Sequence, residues 1–549
     1  MVKAPIMLRI SALKSETEYH MAKWNAPPNP VNASPAALNW ALKHVEEFGD
    51  TIFVPRAFEY EAIRGNWNDV RAWLTAQDLR EWKARPLRRF LARKSAYSFR
   101  FVTQLDPLEY LLFTALIHEV GPQLEAIRNP SSADVVFSWR FEVKSDGQMY
   151  SPAYRWDEFN TRCLSLAEKA NCKWVVVADI ADFFPHIYIH PVEAALDLAT
   201  GRSPAAYCLL RMITNWNAFV SYGLPVGLAG SRIIAEATIN DLDKALEGAG
   251  RKYCRYSDDI RIFCKSEAEA TVALEHLASH LFNTHGLTLQ PLKTLVLKKE
   301  DYLSRFALSG ERAEIESLGA KLQELLEAAG WADEYEEEID YDALPEETQE
   351  EVDKLNLTEI LNEQIAADRI DPIVSSFVLH RMRQLGLPEA SHIVLDNIHK
   401  LFPVIDSAVR YLESLRNIDA AARKAIGKRV LQSLKKGATS SYERMCLLSL
   451  FTKGVEFDNE NEFEKLYDRC GDSAARREIM LALGRAKKTY WFQARRHELS
   501  ELDAWSRRAF LAGYSCVPTD ARKPFYRSLR GGSDILEKSV IAWADATPF

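Results

Sequence analysis

The chain of 549 residues lacks several features that would place it quickly. No apolar run approaches the roughly 20 residues of a membrane-spanning helix, so no membrane association is expected. The opening MVKAPIMLRISALKSE has neither a long apolar stretch nor a small-residue cleavage site, so no secretory signal is read there. Eight cysteines are scattered singly, with no C-x-x-C pair. That argues against a disulfide framework or a cysteine zinc site and fits a reducing, cytoplasmic setting. Each of the 12 histidines reads as a helix-surface or core residue. Lys and Arg are missing altogether from residues 333–353, which carry 12 acids.

What is present is ordinary globular material. Hydrophobic residues make up 47% and charged residues 27%, which excludes wholesale disorder. The length implies two to four domains. Aromatics at 11%, with 13 Trp, imply well-filled cores or stacking surfaces. The net charge of −8 and pI of about 5.9 argue at first against nucleic acid. Without residues 333–353, however, the chain would carry +4, and local charge decides phosphate binding.

Residues 1–35 read as irregular, with Ser34 or a neighbour as cap of a helix PAALNWALKHVEEF. Residues 71–100 are basic and aromatic, which fits either a solvated helix face or a phosphate-facing surface. LEYLLFTALIHEVGPQLEAI at 108–127 reads as an amphipathic helix. WVVVADI at 174–180 is a buried strand by length and composition. A helical stretch at 191–219 follows, then a glycine-rich turn YGLPVGLAGS that opens another helix. RKYCRY and IRIFCK flank Ser-Asp-Asp as a β-hairpin with acids at its tip. A helix and a strand-like LTLQPLKTLVL complete a β-α-α-ββ-α-β order, which suggests helices packed on one face of an antiparallel sheet. Beyond 355 nearly everything reads as helix. RMCLLSLF (444–451), REIMLALG (477–484) and RRAFLAGY (507–514) recur at a period suiting stacked helix pairs of HEAT type, with an irregular bundle as the alternative.

Two carboxylate clusters carry chemistry: Asp179 ending the apolar strand, and Asp258–Asp259 in YSDD. A buried acid is costly unless neutralised, and divalent metal neutralises it. If hairpin and strand adjoin, Asp179 and Asp258 can bridge two Mg²⁺ ions about 4 Å apart, activating a 3′-hydroxyl and stabilising a pyrophosphate leaving group.

At these residues the sequence resembles reverse transcriptases. VVVADIADFFPHI is similar to their A motif, YGLPVGLAGSRIIAE to motif B, YSDD to the Y-x-D-D motif C, and GLTLQPLKTLVL to motif D, in order over 174–298. The resemblance implies an α+β fingers and palm fold followed by an all-α, HEAT-like repeat domain. The expected division is 1–150 N-terminal and fingers-like, 151–320 palm, 321–355 acidic linker or loop, and 356–549 helical repeats. It implies that Asp179, Asp258 and Asp259 are catalytic. Asp179 and Asp258 would ligate the two Mg²⁺ ions with the Ile180 carbonyl assisting, and Asp259 would support the metal site. Phe184 matches the bulky gate that excludes a 2′-hydroxyl, the backbone of Gly223–Gly227 would line the nucleotide and template pocket, and Lys293 would approach the triphosphate or primer end.

Val226 stands where most reverse transcriptases have Gln, and the usual fingers motifs are hard to find. SFRFVTQLDPLEYL at 98–111 offers Arg100 for gripping the triphosphate, with Arg140 a weaker candidate. After 300 no RNase H, endonuclease or maturase-like region is apparent. This combination resembles the bacterial abortive-infection reverse transcriptases of the AbiK and AbiA type. That resemblance implies phage defence from the bacterial cytoplasm and DNA synthesis from dNTPs. Synthesis would be template-independent, protein-primed, or templated by a cognate non-coding RNA, in a homo-oligomer (trimer or hexamer). The basic, aromatic C-terminal segments offer Arg495, Arg496, Arg507, Arg508 and Arg527 to nucleic acid, or else pack as ordinary helix interfaces. Tyr490, Tyr514 and Tyr526 lie in the same region, each readable as structural. The alternative is a scaffold whose repeats bind nucleic acid or phage protein while the palm is weak or inactive; the three intact carboxylates argue against it. A ribonucleotide-using palm enzyme is a third reading, and Phe184 argues against it.

Overall fold

A computed structural model describes residues 24–306 and 356–549, apart from 96, 155, 218–219, 368, 416, 437–438, 458 and 530. The acidic stretch 333–353 lies outside the described residues. Two compact units share the chain, and neither is continuous. One takes Met1–Ile52, Arg71–Leu87 and Thr103–Gly310; the other takes Phe53–Val70, Arg88–Val102 and Glu311–Phe549. The sequence suggests consecutive domains, whereas two short N-terminal segments belong with the C-terminal helices.

The first hairpin pairs β1 (Arg88–Arg93) with β2 (Phe99–Gln104). The main sheet of the first unit holds β3 (Trp174–Asp179), β4 (Lys252–Tyr256), β5 (Asp259–Cys264) and β6 (Leu295–Lys298) in the order β4-β5-β3-β6, every pairing antiparallel. One face of β3 sends Val175 and Val177 into a core with Phe137, Phe159, Cys163, Cys254, Phe263 and Tyr302. Val176 and Ala178 on the opposite face are fully buried as well. The sheet is therefore covered on both sides of β3, not on one as expected. That is why WVVVAD reads as an unbroken apolar run, since a strand exposed on one face would alternate.

The local signals acted largely as their chemistry dictates. Ser34 caps the helix Pro35–Phe48, its Oγ accepting from the Ala37 N–H at 3.1 Å. The stretch 191–219 is two helices, Ile189–Thr200 and Pro204–Trp216. The first ends on Gly201 in the left-handed region, and Ser203 with Pro204 starts the second, the usual cap and first-turn proline. The strand expected over 287–297 is shorter, because Pro291 carries no N–H for a ladder. A 3₁₀ turn Pro291–Lys293 stands there, and β6 begins at Leu295.

In the second unit every other helix packs on the next: Pro372–Gln384, Ile405–Ser414, Ser441–Ser449, Ser473–Arg485, Ala504–Gly513 and Ile535–Ala546, with Glu59–Gly65 against the last. The three recurrent apolar motifs fall on three of these helices. Two approach closely through glycine: a Cβ on Gly484 would lie 2.6 Å from the Gly513 Cα. Glu59 is wholly buried between Arg477, at 2.7 Å, and Arg508, at 3.0 Å.

Candidate active site

Asp179 closes β3 and Asp259 opens β5, directly opposite in register. Residues so paired share a face of the sheet, with Cβ atoms roughly 5 Å apart. The two-residue turn of Ser257 and Asp258 joins β4 to β5 and brings the third carboxylate beside them. Ser257 has φ 54°, the positive value that the first position of a tight hairpin demands. The turn is held from three sides. The Ser257 N–H donates to Ser138 Oγ at 2.8 Å, its carbonyl accepts from Arg255 at 3.0 Å, and the Asp258 carbonyl accepts from the Ile180 N–H at 3.1 Å.

Beneath the turn lies a charge network that the motif reading missed. Arg255 is fully buried and donates to both oxygens of Asp243, at 2.9 and 2.6 Å, and to Glu236. Glu236 also accepts from Arg128 at 2.9 Å and from Ser138 Oγ at 2.6 Å. Burial works to lower the Arg255 pKa, but Asp243 and Glu236 outweigh it and hold the guanidinium charged. The helices Ala229–Thr238 and Asn240–Gly248 are thereby tied to the YSDD turn. One signal was available: an arginine flanked by Tyr253, Cys254 and Tyr256 must find acids if the strand is buried.

The carboxylates are short of counter-charge. Lys293 Nζ stands 2.6 Å from Asp179 Oδ2, and Arg261 stands 3.3 Å from Asp259. Burial, then the charges of Asp259 and Asp179, push Asp258 up to about 6. Burial also raises Asp259 despite Arg261. Burial would lower Lys293, but its bond to Asp179 and the other two acids outweigh that and hold it above its ordinary value. Three carboxylates facing two cations, with oxygen donors only, fit a hard divalent cation. Lys293 owes its place to the 3₁₀ turn. Gln290 just before it donates its N–H to the Asp179 carbonyl at 2.7 Å, and the Ala181 N–H donates to the Thr288 carbonyl at 2.8 Å.

Phe184 sits half-buried on a one-turn helix, Phe183–His186, after Asp182 at φ 43°. Its carbonyl accepts from the Leu224 N–H at 2.9 Å, and that of Ile187 from the Gly223 N–H at 2.8 Å, which lays the glycine-rich loop along this turn. Gly223 and Gly227 have φ of 104° and 101°, and a Cβ on Gly223 would meet the Pro185 carbonyl oxygen at 3.3 Å.

Residues 117–322 match the family model described as reverse transcriptase (RNA-dependent DNA polymerase). The chain carries a reverse-transcriptase domain. Its chemistry is that of an RNA-directed DNA polymerase, a nucleotidyltransferase, and such domains take nucleotide substrates and an RNA template and generally use divalent metal ions. No curated protein matches the chain. Among solved structures it is similar to a telomerase from Candida albicans in complex with a TWJ fragment of telomeric RNA, at 11% identity over 70% of each chain and a TM-score of 0.30. No described helix is long and apolar enough to cross a membrane.

Within the reverse-transcriptase domain the structure gathers Asp179, Asp258, Asp259, Ile180 and Lys293, and joins the Phe184 turn to the Gly223–Gly227 loop. Arg140 is corrected to a structural residue: it is buried and donates to Glu125 at 2.8 Å and to the Val136 carbonyl. Arg100 falls in the second unit, its guanidinium over the Phe53 ring at 5.1 Å. Of the C-terminal arginines, Arg508 is 1% exposed and held by Glu59, so it presents no surface to a phosphate. Arg507 is bonded to Glu537, and Arg495 to Asp468 and Glu498, while Arg496 and Arg527 are exposed. Tyr514 and Tyr526 are buried, and Tyr490 is 82% exposed.

Proposed function

We propose that the chain is a Mg²⁺-dependent DNA polymerase of reverse-transcriptase type acting in anti-phage defence. The observation that carries the chemistry is the meeting of three carboxylates, short of counter-charge, at the adjoining ends of β3 and the β4–β5 turn. Asp179, Asp258 and the Ile180 carbonyl, with Asp259 in support, would hold two Mg²⁺ ions, which when bound would supply Lewis-acid activation of the attacking hydroxyl and charge stabilisation at the leaving pyrophosphate. The protein's own part is positioning and electrostatics. The Arg255–Glu236–Asp243 network keeps the turn rigid under three mutually repelling acids. Lys293, mostly exposed beside Asp179, meets the triphosphate. Phe184 blocks the 2′-hydroxyl, and the missing side chains at Gly223 and Gly227 let the nucleotide approach the backbone.

The defence assignment is supported by the Gly-Leu-Pro-Val-Gly form of the loop and by the helical C-terminal region, read as HEAT-like pairs because alternate helices stack. In this reading the enzyme works in the bacterial cytoplasm as a homo-oligomer. Its synthesis is untemplated, protein-primed or templated by a small non-coding RNA, and Arg496 and Arg527 are the remaining candidates for holding nucleic acid.

The test is incorporation of labelled dNTPs, singly and mixed, by purified protein with Mg²⁺, beside an Asp258→Ala/Asp259→Ala variant. Synthesis by the wild type alone supports the reading; equal synthesis by the folded variant rejects it. Loss after RNase treatment identifies a bound RNA template, and a proteinase-sensitive product identifies protein priming.

A further inference from the structure

Away from the carboxylates, three side chains that no motif reading grouped come together. Asp241 lies in the first turn of the helix Asn240–Gly248, His280 ends the helix Glu267–His280, and His285 ends the turn that follows. His280 Nε2 is 3.0 Å from Asp241 Oδ2, and His285 Nε2 is 2.8 Å from Oδ1 of the same carboxylate. The ligand-type atoms of all three lie within 4.8 Å of one another, and this is the group of that kind among the described residues.

The backbone departs from a regular helix where the second histidine is placed. At 100° per residue, side chains five apart on an α-helix point roughly 140° away from each other. Residues Leu281–His285 instead form a π turn, whose i→i+5 bonding returns the fifth residue to the same side. The two imidazoles accordingly sit with ring centroids 6.0 Å apart, both facing Asp241. Such turns are rare and recur at functional sites.

We propose that Asp241, His280 and His285 form a binding site for a single transition-metal dication of the zinc class, separate from the polymerase carboxylates and independent of the polymerase reading. Two imidazole nitrogens and one carboxylate oxygen suit zinc, not the all-oxygen shell of Mg²⁺ or Ca²⁺. Ligand atoms at about 2.0–2.1 Å from a tetrahedral ion lie about 3.3 Å apart, so the two imidazoles, now at 3.0 and 2.8 Å from different oxygens of Asp241, need only small shifts to share an ion with one of them. The His285 side chain is 4% exposed, that of His280 19% and that of Asp241 42%, so the fourth position opens to water on the Asp241 side. Ion binding cross-links the helix Asn240–Gly248 to the segment that runs directly into Thr288 and Gln290, whose backbone braces the end of β3. The metal is a clamp behind the active site and not a reactant in it.

The test uses the full chain, stripped with chelator and equilibrated with Zn²⁺, with bound metal measured by equilibrium dialysis and elemental analysis. About one zinc per chain is expected, surviving gel filtration, together with a melting temperature that rises with free Zn²⁺. Asp241→Asn, His280→Ala and His285→Ala are each expected to weaken binding by about 100-fold or more. Asp258→Ala/Asp259→Ala should keep the full content. His280→Cys, which replaces one zinc ligand by another, should restore binding that His280→Ala loses, a result that a merely structural histidine would not give. Absence of bound zinc in the wild type, or content unchanged in the folded Asp241 and histidine variants, overturns the proposal and leaves a hydrogen-bonded His–Asp–His bridge.

Discussion

The two units treat buried charge in opposite ways. In the C-terminal unit Glu59 is enclosed by Arg477 and Arg508, and although burial alone would raise its pKa, the two guanidiniums hold it below the usual carboxylate range. The charge there is over-matched and serves as a cross-link between helices. At the ends of β3 and β5 the balance runs the other way: among the described residues Asp179, Asp258 and Asp259 meet with Lys293 and Arg261, and Asp258 is driven up to about 6. A carboxylate cluster left under-compensated, while Glu236, Asp243 and Glu59 are fully compensated, is where the proposed cations would sit.

Four variants break or sharpen this contrast, taken from the largest expected effect. Asp258→Ala/Asp259→Ala should lower dNTP incorporation by about 10⁴-fold, roughly 5.5 kcal/mol, with the circular dichroism spectrum retained and no fall in melting temperature. Glu59→Ala should do the reverse and destabilise the fold by about 3–5 kcal/mol, because two buried guanidiniums lose their shared partner; urea unfolding followed by helix signal measures it. Phe184→Ala should relax sugar selection by about 10- to 100-fold, or 1.4–2.7 kcal/mol, in the ratio of rNTP to dNTP incorporation. An unchanged ratio would reject the gate role.

The smallest effect concerns pH. Asp258 has its folded pKa raised from 3.8 to about 6, so the folded state holds a proton there that the unfolded chain has released between those values. Its contribution to stability therefore falls as pH rises from about 4 to 6 and stays unfavourable above that range. Asp258→Asn should gain about 1–2 kcal/mol at pH 7, discounted for partial exposure, and nothing below about pH 4. Metal-free thermal melts at several pH values show whether the gain follows that window.

Much of the site was legible because its signals are short-range. WVVVAD names a buried strand, YSDD between two β-branched or aromatic runs names a hairpin tip, and the glycines at 223 and 227 mark the positive φ that the loop adopts. What escaped the sequence depends on pairings across the fold. Arg128, Glu236, Asp243 and Arg255 carry no local pattern, and the histidines at 280 and 285 have a spacing that a regular helix would splay apart. Arg508 looked like part of a basic surface because its neighbours are basic. Its burial is set by Glu59, a residue 449 positions away. The discontinuous units were invisible for the same reason: nothing in residues 53–70 or 88–102 states which half of the chain they will join.

That last arrangement reaches back to synthesis itself. Glu59 leaves the ribosome 418 residues before Arg477. At 5–20 residues per second the glutamate waits roughly 20–80 s, hydrated, before either of its arginines exists. The C-terminal stack cannot close around its own N-terminal pieces until translation is nearly finished. A fragment cut at the apparent boundary near residue 355 would carry Arg477 and Arg508 without the acid they enclose. The second unit is thus closed by N-terminal segments of its own chain, and the helical C-terminal region is not a detachable module.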